Sequence, residues 1–162
     1  MKIGIKTDAY FSVDEYEQGF EKIKSHGYDC VENLPFRGIQ TCQVDWVKKL
    51  LDYFQHPNLK MCFDTGHVNV YRDDLAGDVR KIGKYLQCLH VHDNRGDWDE
   101  HMIPYKGTID WQAFLTALKE IGYQGCFSLE TYSNKKMPEP FLENERINLA
   151  RLARFMVSQL DE

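Results

Sequence analysis

Acidic and imidazole side chains recur at corresponding places in this 162-residue sequence, each at or near the end of a short apolar segment. Carboxylates and imidazoles are the side chains that bind divalent metal ions and transfer protons. A single carboxylate after such a segment is commonly a helix cap or a solvated loop residue. Four residues at corresponding places indicate a shared site, and they are Glu32, Asp64, His90 and Glu130.

The composition of this set indicates which metal ion it would hold. Three carboxylates and one imidazole offer mainly oxygen ligands, which suit Mn²⁺ or Mg²⁺. We expect Mn²⁺ first, with Mg²⁺, Zn²⁺ and Co²⁺ as alternatives. His92 follows His90 by two residues, so a regular strand would place both imidazoles on the same side. His92 is therefore an alternative to His90 as a ligand.

Strand-like and helix-like segments alternate along the chain and would position these residues. Apolar segments bounded by turn residues predict five strands, at 2–5, 28–33, 59–63, 88–92 and 126–129. Apolar residues at helical spacing, several of them preceded by capping residues, predict helices at 12–26, 44–54, 74–86, 111–121 and 139–160.

This alternation favours a parallel sheet covered by helices, with the predicted ligands at the carboxyl ends of the strands. A closed (β/α)8 barrel needs eight strands and about 250 residues, more than this chain provides. We therefore predict an α/β fold, a partial TIM-barrel-like repeat with about five parallel strands in a single truncated domain, residues 1–162. A five-stranded flavodoxin-like sheet is the alternative on pattern alone.

Charge and hydropathy bear on the partners of the protein. The formal net charge is −5 and the basic residues are scattered, which argues against a nucleic-acid partner. No apolar segment approaches the about 20 residues of a membrane-spanning helix, and the charged start does not resemble a secretory signal. We expect a cytoplasmic protein with no membrane partner.

Cysteine usage agrees with a reducing compartment. The sequence has five cysteines and no C-x-x-C pair, and four of the five lie in or beside apolar strand-like segments. We expect them to be small buried thiols rather than a disulfide framework or a zinc finger. They are Cys30, Cys42, Cys62, Cys88 and Cys126.

Several motifs, taken in order, resemble the xylose isomerase-like TIM-barrel superfamily, which contains sugar isomerases, epimerases and class II AP endonucleases. The resemblance covers about residues 28–135, and residues 1–27 resemble the first strand and helix of the family. The segment between the family's second and fifth strands has no counterpart, which we interpret as an internal deletion. The motifs are Glu32-Asn33-Leu34-Pro35, Cys62-Phe63-Asp64-Thr65-Gly66-His67, Leu89-His90-Val91-His92-Asp93-Asn94 with Asp99-Glu100-His101, Gly107-Thr108-Ile109-Asp110-Trp111, and Ser128-Leu129-Glu130-Thr131.

The resemblance implies roles for individual residues. Glu32, Asp64, His90 and Glu130 match the metal ligands of the family's epimerases, and the two glutamates are the candidate acid and base. His67 matches a substrate-binding residue. Together with Asp99 and His101, it matches a further metal site of the endonucleases. From its place in the polar loop, Trp98 is a candidate for stacking on a sugar ring or covering the mouth of the site, and packing that stabilises the loop is an equal alternative.

Three functions follow as hypotheses. The first is a divalent-metal-dependent sugar or sugar-phosphate isomerase or epimerase that transfers a proton next to a carbonyl group. The second is a degenerate, non-catalytic member that binds metal or keeps the scaffold. The third, less favoured, is an AP endonuclease-like phosphodiesterase, because histidines that the endonucleases draw from the missing strands have no counterpart. Missing strands would expose sheet edges, so we also expect a homo-oligomer, a dimer.

Overall fold

Short parallel strands alternate with helices in the computed structural model of the chain, which describes residues 4–6, 25, 30–32, 44–71, 74–131 and 136–160. The described residues form two compact units, one within residues 1–60 and the other within residues 61–162. We describe each unit by itself. Whether the chain is a single domain, as the sequence predicts, stays a prediction.

The described residues of the first unit include a two-stranded parallel sheet and a helix. Strand β1 (Gly4–Lys6) pairs with strand β2 (Cys30–Glu32). Helix α1 (Val44–Phe54) coincides with the predicted helix at 44–54 and buries Val44 and Leu51. The helix predicted at 12–26 lies outside the described residues, apart from Ser25.

The second unit is built on a three-stranded parallel sheet in the order β3-β4-β5. The strands are β3 (Met61–Asp64), β4 (Leu86–Val91) and β5 (Cys126–Leu129). All five predicted strands therefore occur, with parallel pairing in both sheets, and the predicted α/β architecture is confirmed. Strand β4 begins two residues before the predicted start.

Four helices accompany this sheet, and two of them correct the sequence prediction. Helix α2 (Thr65–Val70), which directly follows β3, was not predicted. Helix α3 (Leu75–Ile82) is shorter than the predicted 74–86, because Gly83 leaves the helical conformation at φ 50° and a 3₁₀ turn, Gly83–Tyr85, leads into β4. Helices α4 (Trp111–Glu120) and α5 (Glu139–Ser158) lie within one or two residues of their predicted bounds.

Side chains alternate between the two faces of the sheet, and one face is more buried than the other. Phe63 and Leu89 are fully buried, and the ring of Phe63 stacks on Phe114 of α4 at 6.5 Å between centroids. Asp64 and His90 occupy the other set of alternating positions, where side chains are only partly buried. None of the described helices is long and apolar enough to cross a membrane.

The cysteines depart from the sequence expectation. Cys62 and Cys126 are exposed and Cys88 is partly buried, so the prediction of buried thiols is wrong at these positions. The reason is strand register: each occupies the alternating set that contains Asp64 and His90, whereas Phe63 and Leu89 lie on the helix-covered face. The apolar character of the flanking residues does not reveal which face a strand residue lies on.

Candidate metal centre

Asp64 lies at the junction of a strand and a helix, which holds its carboxylate in place. It is the last residue of β3 and the N-cap of α2, and its Oδ1 accepts a hydrogen bond of 2.9 Å from the backbone N–H of His67. The buried Thr65 next to it bonds through its hydroxyl group to the carbonyl of His92 at 2.7 Å. The end of β3 is thereby attached to the chain that follows β4.

His90 and Glu130 approach Asp64 from the two neighbouring strands. His90 on β4 is the register partner of Asp64, and Glu130 directly follows β5, where its N–H donates to the carbonyl of Val91 at 3.0 Å. Nδ1 of His90 lies 3.2 Å from Oε2 of Glu130 and 3.7 Å from Oδ2 of Asp64. Parallel pairing thus gathers three predicted ligands that are far apart in sequence.

The three side chains have the spacing that one divalent ion requires. One ligand atom from each of Asp64, His90 and Glu130 lies within 4.8 Å of the other two. Bonds of about 2.0–2.6 Å to a common ion permit such separations. Oε2 of Glu130 is also buried without a hydrogen-bond partner among the described residues. A buried carboxylate oxygen in this condition favours a cation beside it.

Glu32, the fourth predicted ligand, ends β2 in the first unit, opposite Lys6 in the parallel pair. The structure describes its backbone only. Its position at the carboxyl end of a strand is as predicted, and its role as a ligand stays a prediction.

His92 lies on the same side as His90, as the sequence predicts, and it contacts Asp64. It is fully buried, and its Nε2 lies 3.0 Å from Oδ1 of Asp64. Burial by itself would lower the pKa of His92, but the hydrogen bond and the charge of Asp64 prevail and raise it. Burial would likewise raise the pKa of Asp64, yet the bond from His92 and the N–H of His67 bring it below its ordinary value. His92 therefore orients and stabilises the ionised Asp64.

A second group forms around Asp99. Its Oδ2 lies 3.1 Å from Nε2 of His67 and 3.1 Å from Nε2 of His101, which brings together the three residues of the predicted second metal site. The group whose ligand atoms all lie within 4.8 Å of one another consists of His92, Asp99 and His101. The structure therefore places His92, which the sequence analysis did not assign to this second site, beside Asp99 and His101.

The hydrogen bond to the carbonyl of Glu130 determines which ring nitrogen of His101 faces Asp99. Nδ1 of His101 lies 2.7 Å from the carbonyl oxygen of Glu130, so Nδ1 must carry the proton and donate it. In a neutral ring, Nε2 then presents a lone pair to the carboxylate of Asp99. Two acceptors at 3.1 Å repel each other unless a proton or a metal ion lies between them.

Asp93 is a positioning residue that the sequence analysis did not single out. Its buried carboxylate accepts hydrogen bonds from the N–H of Gly107 at 3.0 Å and from Nε1 of Trp111 at 2.9 Å. Its backbone exchanges two hydrogen bonds of 2.8 Å with Met102. These contacts hold both ends of the loop that contains Asp99. The motif drew attention to the neighbouring histidines, and what distinguishes Asp93 from them is its hydrogen bonds to the far end of the loop.

The loop also contains Trp98, the predicted sugar-stacking residue. Its side chain is 77% exposed. An exposed indole next to a polar site is available for stacking on a ligand, and this role stays a prediction.

Comparisons with known proteins bear on the family and the fold of the chain. A family model described as xylose isomerase-like TIM barrel matches residues 17–154. The D-psicose 3-epimerase of Ruminiclostridium cellulolyticum is 36% identical over 97 residues, which are 58% of this chain and 30% of that protein. The crystal structure of a D-tagatose 3-epimerase-like protein matches with a TM-score of 0.68 and 25% identity, covering 91% of this chain and 54% of that one.

A further solved structure is that of D-psicose 3-epimerase with D-tagatose from Clostridium cellulolyticum H10. It matches with a TM-score of 0.65 and 25% identity, over 89% of this chain and 54% of that chain. The chain spans less than half the length of these curated relatives. The likeness therefore covers part of a barrel, as the sequence predicts.

Proposed function

The chain belongs to the xylose isomerase-like TIM-barrel family, and on this premise we propose that it is a divalent-metal-dependent sugar or sugar-phosphate isomerase or epimerase. One observation carries the proposal: three adjacent strand ends bring Asp64, His90 and Glu130 within 4.8 Å of one another. The relatives named as sugar 3-epimerases support the reaction class.

The chemistry of the donor set fits a divalent ion. Asp64, His90 and Glu130 would hold it, with Glu32 as the predicted fourth ligand. We propose Mn²⁺, because two or three carboxylates with one imidazole suit it. The bound ion would supply positive charge beside a ketose carbonyl oxygen, where negative charge develops as the neighbouring proton leaves.

The side chains of this protein would move the proton. Glu130 is the proposed base, which removes the proton from the carbon next to the carbonyl group. For an epimerase, an acid must return a proton to the opposite face of that carbon, and we assign this role to Glu32. His67 and Trp98 are the proposed substrate contacts. Asp99 faces Nε2 of His67 at 3.1 Å and would orient its ring.

A non-catalytic role is the second candidate, and one observation favours it. The chain spans 30–46% of the length of its first curated relatives. A chain of this kind would keep the metal ligands of the second unit and bind an ion without turnover. The third candidate, an AP endonuclease-like phosphodiesterase, draws support from the group around Asp99.

The test is turnover of ketoses and ketose phosphates by the full chain in Mn²⁺, followed by chromatography of the sugar products. We expect epimerised or isomerised product, and at least a hundredfold loss in Glu130→Gln. Glu145→Gln, another partly buried glutamate but on helix α5, is the matched control and should retain activity.

The outcomes separate the candidates. Mn²⁺ binding without turnover of any ketose would favour the non-catalytic role. Cleavage of an abasic-site duplex would favour the phosphodiesterase. Absence of Mn²⁺, Mg²⁺, Zn²⁺ and Co²⁺ binding would contradict the proposal itself.

A further inference from the structure

Three cysteines form a row across the sheet of the second unit. Cys62 on β3 is the register partner of Cys88 on β4, which in turn is the register partner of Cys126 on β5. Cys62 precedes Asp64 by two residues and Cys88 precedes His90 by two residues, so each thiol lies on the same face as the ligand that follows it. The row therefore lies next to Asp64, His90 and Glu130, which we call the carboxylate-rich group.

Two of these thiols and an imidazole have metal-ligand spacing. Sγ of Cys62, Sγ of Cys88 and one ring nitrogen of His90 all lie within 4.8 Å of one another. None of the three described cysteines forms a disulfide. Cys126 lies on the other side of Cys88 and falls outside this group.

The donor types of this group differ from those of the carboxylate-rich group. Thiolates prefer soft ions such as Cd²⁺, Cu⁺ and Zn²⁺, whereas carboxylates prefer Mn²⁺ and Mg²⁺. Ion binding at Cys62 and Cys88 would displace the thiol protons, because the thiolate is the ligand form of cysteine. We propose that Cys62, Cys88 and His90 form a second metal site, selective for a soft thiophilic cation.

His90 connects the two groups. Its Nδ1 lies 3.2 Å from Oε2 of Glu130. A nitrogen of the same ring lies within 4.8 Å of the sulfur atoms of Cys62 and Cys88. An ion at the thiols would engage the same imidazole, and two cations a few ångströms apart repel each other. Soft ions therefore weaken Mn²⁺ binding at Asp64, His90 and Glu130. This antagonism rests on the proposed function, whereas the thiolate site itself does not.

The test is titration of the reduced full-length chain with Cd²⁺, read by the ultraviolet thiolate-to-cadmium charge-transfer absorption. We expect a saturable absorption in the wild type. Cys62→Ser and Cys88→Ser should each weaken Cd²⁺ binding by more than the about 10–100-fold that loss of a supporting group costs. Cys126→Ser, the neighbouring thiol in register, is the matched control and should retain the absorption.

A second readout follows Mn²⁺ by its electron paramagnetic resonance signal in solution. Cd²⁺ should release bound Mn²⁺ from the wild type and not from Cys62→Ser. Three results would overturn the thiolate site: no absorption in the wild type, absorption in Cys62→Ser and Cys88→Ser equal to that of the wild type, or loss only in Cys126→Ser. Failure of Mn²⁺ to bind at all would count against the proposed function and leave the Cd²⁺ result to decide the thiolate site.

Discussion

Nε2 of His92 lies 3.0 Å from Oδ1 of Asp64, and this bond joins a fully buried imidazole to a proposed metal ligand. Burial disfavours the charged form of both groups, but their mutual hydrogen bond and opposite charges outweigh it. The pKa of His92 is raised and that of Asp64 is lowered, so the two are charged together over the pH range between them.

The pH dependence of stability follows from this pair. The contribution of His92 is fully present below its unfolded pKa of about 6.5 and is lost as pH rises through the raised folded value. That of Asp64 is present above about 3.9 and is lost as pH falls through its lowered folded value. The free energy of unfolding lost in His92→Gln should therefore be largest between about pH 4 and 6.5.

Urea unfolding of the metal-free protein, followed by circular dichroism at a series of pH values, measures this difference. His56→Gln, in an exposed turn, controls for the loss of an imidazole. A difference between wild type and His92→Gln that does not vary with pH would show that the pair is not charged in the folded state.

Gly66 provides the space that His92 occupies. A methyl group at this position would overlap the His92 ring. Gly66→Ala should destabilise the protein by about 1–3 kcal/mol through overpacking, and should weaken Mn²⁺ binding by displacing His92 from Asp64. Gly77→Ala is the control, because its methyl group meets only the exposed Asp74 carboxylate at the start of α3. Isothermal titration with Mn²⁺ should show weaker binding in Gly66→Ala alone.

Metal removal should lower thermal stability through the same ligands. An ion that binds only the folded state at a concentration of about 100 times its Kd adds about 2.7 kcal/mol. A chelator should therefore lower the Tm of the wild type, with recovery on adding Mn²⁺. Asp64→Asn should show no such response, because the amide keeps the N-cap acceptor but not the charge.

Asp110→Asn is the matched control for that experiment. Asp110 is also a helix N-cap, with its side chain accepting from the N–H of Ala113 at 3.0 Å, but it is an exposed residue at the start of α4. If a chelator lowers the Tm of Asp64→Asn as much as that of Asp110→Asn, Asp64 is not a ligand of the ion.

The buried Asp93 carboxylate anchors the loop that carries the second group. Asp93→Asn replaces one acceptor oxygen with a donor. At the Oδ2 position this donor faces the N–H of Gly107 and Nε1 of Trp111, and at the Oδ1 position it faces the N–H groups of Asn94 and Ile109. We expect a loss of about 1–3 kcal/mol in unfolding free energy and weaker binding of Zn²⁺ at Asp99 and His101. The exposed Asp97 lies in the same loop, and Asp97→Asn should leave both quantities unchanged. Denaturant unfolding and Zn²⁺ titration provide the two measurements.

Association of two chains is expected from surfaces that the second unit exposes. Among the described strands, β3 and β5 each pair on one side only, and Phe155 on α5 is 55% exposed. Light scattering at micromolar concentration should give the mass of a dimer. Phe155→Lys should raise the dimer Kd at least about tenfold, from the loss of about 1.5–3 kcal/mol of apolar burial.

Thr116→Lys adds the same charge on an exposed position of α4 and should leave the dimer intact. A wild-type chain that scatters as a monomer would contradict the expected association.

Much of the fold was predictable because its signals are local. Apolar segments of four to six residues specify strands, and Asp110 specifies a helix start through a cap that the structure shows at 3.0 Å. Helix α2 was missed because six residues containing Gly66 and two valines have weak helix propensity. It forms where Asp64 caps it and where Val68 is buried, and neither condition is visible in the segment alone.

The sequence by itself determined which residue types stand at the strand ends, and hence that Asp64, His90 and Glu130 belong together in a parallel sheet. Tertiary structure decided the rest: strand pairing placed His92 behind Asp64 and aligned Cys62 with Cys88, and the fold of the loop after β4 brought Asp99 within 3.1 Å of His67. The physical reason is that strand periodicity is a local property of the chain. The distance between two side chains on different strands depends on long-range pairing, which no single segment contains.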